Sequence, residues 1–313
     1  MKQLYFIFTF FLITVFSYTA IGQSTFDVFF PKKGESSLAL GFTSKSYDKF
    51  YRGTTLTDGN PADFGNINSR IFSIYGTYSL SDQMTAIVNL PFISVENENG
   101  VPDPVQAVTQ VNALQDLSLG IKRKLWDKKL NTSLITAGAG AVWRFPVGKY
   151  EEAGILSVGN GAFSIEGIAM LQYQIQGGFF AELQGGYSLR RNKNFDTPNA
   201  FIGEFKVGFA HSLFYLGTSI GLQNSVSSFD IGSEEFGMRG GPASLPETEV
   251  DYTVLNINGY LPIGKSGVGI TAGYGKVLDG RNAGAESYIT AGIVISGSSF
   301  HKPTAPPRYI LGH

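Results

Sequence analysis

The chain has 313 residues, a formal net charge of −1, 16 % charged residues, 39 glycines and no cysteine. The lack of cysteine excludes a disulfide framework, a thiolate metal site and a cysteine nucleophile, and the near-neutral charge excludes the basic surface that nucleic-acid binding requires. Abundant glycine and aromatic residues with few charges fit a wall whose side chains face lipid and lumen in turn.

In chain order, Met1 and Lys2 precede an apolar run from Leu4 to Phe16, followed by small residues at Ala20 and Gly22. Residues 1–22 therefore read as a secretory signal peptide cut before Gln23. A retained anchor is the alternative, but no basic stop-transfer cluster follows the run. Beyond Gln23 no stretch of about 18 uninterrupted apolar residues occurs, so any membrane crossing is made by strands. An irregular segment, Ser24 to Gly34, comes next.

Alternation of period two then marks about twelve segments long enough for tilted membrane strands, roughly 9–11 residues each. They lie at 36–45, 69–80, 84–95, 116–126, 132–144, 162–175, 179–190, 200–211, 213–223, 251–261, 267–276 and 287–297. In the sixth, Phe163, Ile165, Gly167, Ala169, Leu171, Tyr173 and Ile175 share one parity, whereas Ser164, Glu166, Gln172 and Gln174 share the other. Phe201, Phe205, Val207 and Phe209 likewise oppose Glu204 and Lys206, and Phe214, Leu216, Ile220 and Leu222 oppose Tyr215, Gly217, Ser219 and Gly221. The apolar sets are expected to face lipid.

Connections alternate strictly between short and long. Tight turns fall at Ser81-Asp82, Asp127 to Asn131, Gln176-Gly177-Gly178, His211-Ser212 and Gly264-Lys265-Ser266. Long loops occupy 46–68, 96–115, 145–161, 191–199, 224–250 and 277–286. The expected fold class is all-β: a single antiparallel up-and-down transmembrane β-barrel of about 12 strands after a cleaved signal peptide, with short periplasmic turns and long outer loops. The barrel spans 23–300, a proline-rich periplasmic tail follows at 301–313, and both mature ends fall in the periplasm. A secreted sandwich would have shorter strands, about 5–6 residues, and Greek-key connections that scramble the short–long order. No fixed-period repeat supports a propeller or solenoid.

Asn89-Leu90-Pro91-Phe92 ends one strand, and Gln115-Asp116-Leu117-Ser118-Leu119-Gly120-Ile121-Lys122-Arg123-Lys124-Leu125 opens the next. With Phe145-Pro146-Val147-Gly148-Lys149 and Gly185-Gly186-Tyr187, this sequence resembles the outer-membrane barrels grouped as the phenol-degradation meta-pathway transporter family. The carrying element is the Asp-Leu-x-Leu-Gly-x-Lys core, although Leu114 and Gln115 stand where that family usually has glycines. The resemblance implies a passive outer-membrane transporter of small hydrophobic or aromatic compounds.

Catalysis on a barrel rim would need a general-base histidine, and the three present are His211, in a short turn, and His301 and His313, in the tail. Glu234, Glu235, Glu247 and Glu249 crowd one long loop without an evident base or metal geometry and read as solvated. The Gly267-Val268-Gly269 run lacks the following helix of a phosphate loop. No catalytic residue, metal site or cofactor is expected. By parity Lys122, Lys124, Arg144, Glu166, Glu182, Arg190, Glu204 and Lys206 project into the lumen. Two readings stay open for them: an interior salt-bridge ladder that fills a narrow barrel, or a selectivity lining. Inward Gly41, Gly120, Gly138, Gly140, Gly217 and Gly221 leave room for a conduit or bend the strands. Trp126, Trp143, Tyr78, Tyr173, Tyr187, Phe92 and Tyr274 form candidate interfacial girdles near strand ends.

The sequence thus points to a passive channel for small solutes embedded in outer-membrane lipid, with no nucleic-acid partner and no fixed oligomeric state. The alternative is a closed barrel that anchors displayed loops, above all 224–250, for adhesion or binding.

Overall fold

The computed structural model describes residues 26–298, so the signal-peptide reading of 1–22 and the tail 301–313 lie outside the described residues. Twelve long strands form the wall: β1 (Glu35–Tyr47), β2 (Ile67–Ser81), β3 (Met84–Asn97), β4 (Asp116–Lys129), β5 (Ser133–Pro146) and β6 (Phe163–Ile175). The second half comprises β7 (Phe179–Arg191), β8 (Ala200–Ala210), β9 (Tyr215–Ser225), β10 (Asp251–Pro262), β11 (Val268–Arg281) and β12 (Ser287–Ser298). Each pairs antiparallel with its sequence neighbours, and β12 returns to β1 from Ser298↔Glu35 to Ser287↔Ser46. Closure leaves no free edge, which lets a sheet sit in hydrocarbon with its backbone bonds satisfied.

The wall is apolar outside and polar inside, as the alternation demanded. On β6, Ile165, Leu171 and Tyr173 are exposed while Ser164, Glu166 and Gln172 are buried. Opposite Phe42 on β1 stands Phe72 on β2, itself opposite Phe92 on β3, so Phe92 belongs to a mid-wall row of rings rather than to a girdle. Trp126, Tyr78 and Tyr173 stand near the short-turn end, and Trp143 and Tyr187 near the long-loop end.

Three register shifts interrupt the ladders. The one on β4 has a clear effect: Lys124 pairs with Gly138 but Trp126 with Ala137, leaving Leu125 as the extra residue. Regular pairing through Leu125 would give Trp126 the inward parity of Lys122 and Lys124. The bulge re-aims the indole to the outer face, a known use of such irregularities at barrel rims.

The β3–β4 seam is divided. The two strands pair only from Met84↔Arg123 to Asn89↔Ser118. Beyond Pro91 the upper part of β3 instead pairs with a short strand, Gln110–Leu114, running from Phe92↔Leu114 to Glu96↔Gln110. Phe64, Ile67, Ile93, Val95, Ala113, Leu156 and Val158 pack into a core at this end, so three long loops fill one side of the mouth.

The segment before β1 departs most from expectation. It is irregular, but it does not hang outside the barrel: Phe26 and Val28 pack against Ile87, Val142 and Met170 within the lumen.

Candidate functional site

Four alternate residues of β4 face inward: Asp116, Ser118, Gly120 and Lys122. The lowest of them receives the chain's own N-terminal arm. Lys122 Nζ donates to Asp27 Oδ1 at 2.6 Å, to Asp27 O at 3.0 Å and to Phe29 O at 2.8 Å. It also lies 5.1 Å from the centroid of the Phe30 ring. Across the lumen, Val28 N donates to Glu182 Oε2 at 3.1 Å and Gln184 Nε2 to Phe26 O at 2.9 Å. Glu182 also accepts from Gln172 and Lys206.

Glycine makes the close approach possible. A Cβ on Gly140 would come within 2.7 Å of the Phe26 ring, and one on Gly120 within 3.5 Å. The inward glycines in this region therefore leave space that Phe26 and its neighbours occupy, rather than an open conduit.

Above the arm lies a cavity of about 590 Å³. Gln184 lines its floor, while Leu245 and Pro246 of the connection 226–250 line its roof. Arg144, Glu166, Arg190 and Glu204 line its wall, with Tyr252, Asn256 and Tyr288 facing them. Arg144 makes a bidentate pair with Glu166, Nε to Oε1 at 3.2 Å and Nη2 to Oε2 at 2.9 Å. Its Nη1 donates to Ser118 at 3.4 Å. Asp116 accepts from the Tyr150 hydroxyl at 2.5 Å. Burial and the Asp116 carboxylate push that hydroxyl above the ordinary tyrosine range.

The eight expected lumen charges thus separate by height. Lys122, Glu182 and Lys206 hold the arm or its holders, whereas Arg144, Glu166, Arg190 and Glu204 line the cavity. Lys206 joins the two levels, lying 3.4 Å from both Glu182 Oε1 and Glu204 Oε2. Lys124 stands apart near the short-turn end, where it pairs with Asp127 at 2.7 Å.

The roof is tied down rather than solvated. Arg281 bridges Asp230 at 2.7 Å and Glu249 at 2.5 Å, and Arg239 bridges Glu235 at 2.8 Å and Glu247 at 3.0 Å. This corrects the solvated reading of the loop carboxylates for Glu247 and Glu249, whose side chains are 12 % and 13 % exposed, whereas Glu235, at 49 %, faces solvent as read. Among the described residues no group of three or more His, Asp or Glu side chains has metal-binding geometry. His211 accepts from Leu213 N through Nδ1 at 3.3 Å and stacks on Phe209, 5.9 Å between centroids.

Sequence parity found the charges but missed Asp27, Thr197, Tyr252 and Tyr288. A signal for the arm did exist: Phe26, Val28, Phe29 and Phe30 surround one acid in a stretch too short to span a bilayer.

The family model described as "Putative MetA-pathway of phenol degradation" matches residues 32–234. The chain belongs to this family. Its family-like Asp-Leu-x-Leu-Gly-x-Lys core is the strip of β4 that meets the arm below and the cavity above. Gly148, in the family-like Pro-x-Gly, is pressed on the Leu114 carbonyl, which leaves no room for a Cβ. The fold is also that of an outer membrane channel from Pseudomonas putida F1, with a TM-score of 0.67 and 13 % identity over 90 % of this chain and 98 % of that one. A TodX variant titled a monoaromatic hydrocarbon channel aligns at TM-score 0.43 and 11 % identity, over 90 % of this chain and 96 % of that one. The translocator domain of the autotransporter NalP from Neisseria meningitidis aligns at 0.41 and 11 %, over 84 % and 88 %. No curated protein matches the sequence. The chain is thus an outer-membrane-type β-barrel of this family.

Proposed function

We propose that this protein is a passive outer-membrane channel for small solutes, with its short turns and both chain ends in the periplasm and its long loops outside. The observation that carries the reading is the cavity of about 590 Å³ inside a closed ring, lined by charged side chains on the strands themselves. Such a volume suits a small ligand, and the Pseudomonas putida relative in fold is itself titled a channel. The family description supports an aromatic compound as the solute. Solute enters between the loops, rests in the cavity, and passes down its gradient when the arm leaves Lys122 and Glu182. Arg144, Glu166, Arg190 and Glu204 set which solutes rest there.

The arm also favours a second reading, a barrel that stays shut and serves as an anchor for its loops. Conductance in planar bilayers and liposome swelling separate the two. The channel reading expects weak, intermittent current from the intact chain and sustained current once residues 24–31 are deleted. A folded deletion variant that passes neither ions nor small solutes refutes the channel and leaves the anchor.

A further inference from the structure

Three polar groups on the cavity wall are left with unused bonding capacity. Arg190 donates from Nε to Ser188 at 3.3 Å and from Nη2 to Gln223 at 2.7 Å, and among the described residues it has no carboxylate within ion-pair distance. Its Nη1 makes no hydrogen bond among the described residues. Thr197, 8 % exposed, has a buried hydroxyl without a hydrogen-bond partner. Glu204, 9 % exposed, has a buried Oε2 that lies 3.4 Å from Lys206 Nζ yet takes part in no hydrogen bond. Buried polar atoms are rarely left so without reason, because each forfeits the bonds it had in water.

Their arrangement is polar from end to end. Thr197 lies in the connection between β7 and β8, at the loop end, and Arg190 reaches Gln223. Gln223 pairs with Ile202, and Gly221 with Glu204, so the two rows are one same-face step apart. At about 3.3 Å per residue that step is roughly 7 Å. One end of the site therefore offers a guanidinium and a hydroxyl as donors; the other offers a carboxylate as acceptor. Ile202 and Val254 supply apolar wall between them.

Resting on the channel reading, we propose that the cavity is a binding site for small hydroxylated aromatic carboxylates. The solute's carboxylate meets Arg190 at the loop end, beside Thr197, and its hydroxyl donates to the Glu204 carboxylate one same-face step, about 7 Å, along the wall. A para-substituted ring spans that separation; an ortho hydroxyl does not, because it lies against its own carboxylate. Arg144 contributes little to the anion's binding, since Glu166 already occupies its fork.

Calorimetric titration of the folded full chain in detergent tests this without any need for transport. 4-Hydroxybenzoate is expected to bind at least about tenfold more tightly than 4-methoxybenzoate, which keeps the carboxylate but lacks the donor, the weight of one hydrogen bond to a charged group. 2-Hydroxybenzoate and 4-hydroxybenzyl alcohol are expected to fall behind by a similar factor. Glu204→Leu should erase the preference for the hydroxyl, and Arg190→Gln should weaken both carboxylates together. Equal affinity of the intact protein for 4-hydroxybenzoate and 4-methoxybenzoate, or no binding of either, overturns the proposal whether or not the variants fold. Selective binding without conductance would refute the channel and leave the site; conductance without selectivity would do the reverse.

Discussion

Replacing Lys122 by Met removes three hydrogen bonds to the arm, at 2.6, 3.0 and 2.8 Å, while nearly conserving the side chain's volume. The lysine side chain is 5 % exposed, so its loss leaves the Asp27 carboxylate facing an apolar stem where it had a cation. Removing one partner of a buried pair costs about 3–5 kcal/mol, but the Asp27 side chain is 44 % exposed and keeps part of its solvation. A discounted range of about 1–3 kcal/mol follows, equivalent to a roughly 5- to 150-fold shift toward the undocked arm. The wall itself loses nothing, because β4 keeps its ladder to β5. Two assays read the shift. Open-channel occupancy in planar bilayers should rise by about that factor, within the limit of full opening, and a Val28→Cys reporter in this cysteine-free chain should react correspondingly faster with a soluble maleimide. A folded Lys122→Met variant, confirmed by its altered gel mobility before boiling, that shows neither change would refute the view that this ammonium holds the arm.

Gly140→Val places its Cβ within 2.7 Å of the Phe26 ring, so it should raise Val28→Cys labelling even with Lys122 intact; unchanged labelling would count against the docked position of Phe26. Leu183→Arg, on the outer face at 58 % exposure, should destabilise the barrel in lipid vesicles by about 2–4 kcal/mol if its row lies at the bilayer midplane, as urea titration would read. Deleting Leu125 removes the bulge but leaves Trp126 directly after Lys124 and opposite Ala137 on the outer face, so the folded yield on a heat-modifiability gel should change little; a sharp loss would count against Leu125 being the extra residue. Hydrogen bonds from Arg281, with a further one from Asn282, hold the Asp230 carboxyl below the ordinary carboxylate range. Because its folded pKa is depressed, roof anchoring from this group is complete above about pH 4 and fades as pH falls through the lower folded value. A spin label at Met238→Cys should stay equally immobile from neutral pH down to about pH 5 and loosen only in stronger acid.

Much of the wall was legible because hydrocarbon imposes a strict rule on alternate side chains. The twelve expected segments correspond to the twelve strands, with ends that differ by a few residues. β11, for instance, runs to Arg281 rather than stopping at 276, because its end is bound into the loops through Asp230 and Glu249. The charges on β5 to β8 face inward for the same reason. What periodicity could not convey was occupancy. Residues 26–34 have no period to read, and their place is set by single contacts to Lys122, Glu182 and Gln184, each more than ninety residues away in sequence. The β4 bulge was equally hidden, since one extra residue looks like continued alternation with a slip. Glu249 looked solvated because its partner, Arg281, belongs to a strand outside the loop, and Glu247 because Arg239, eight residues before it, meets it only once the loop folds back.

The same parity that spares the bilayer from charge fills the lumen with it, and the two halves of the barrel deal with that charge differently. Near the arm, Glu182 accepts from the backbone of Val28, and Lys122 donates to the Asp27 carboxylate and backbone. In the cavity, Arg144 and Glu166 neutralise each other, but Arg190 finds only neutral partners and Glu204 keeps one oxygen without a hydrogen bond. A lumen arranged only to be filled would be expected to pair such groups, since leaving a buried polar atom unbonded costs about 1–3 kcal/mol. Among the described strand side chains of the lumen, this unused bonding capacity lies at the upper level, which is the physical distinction a binding cavity requires from a packed interior.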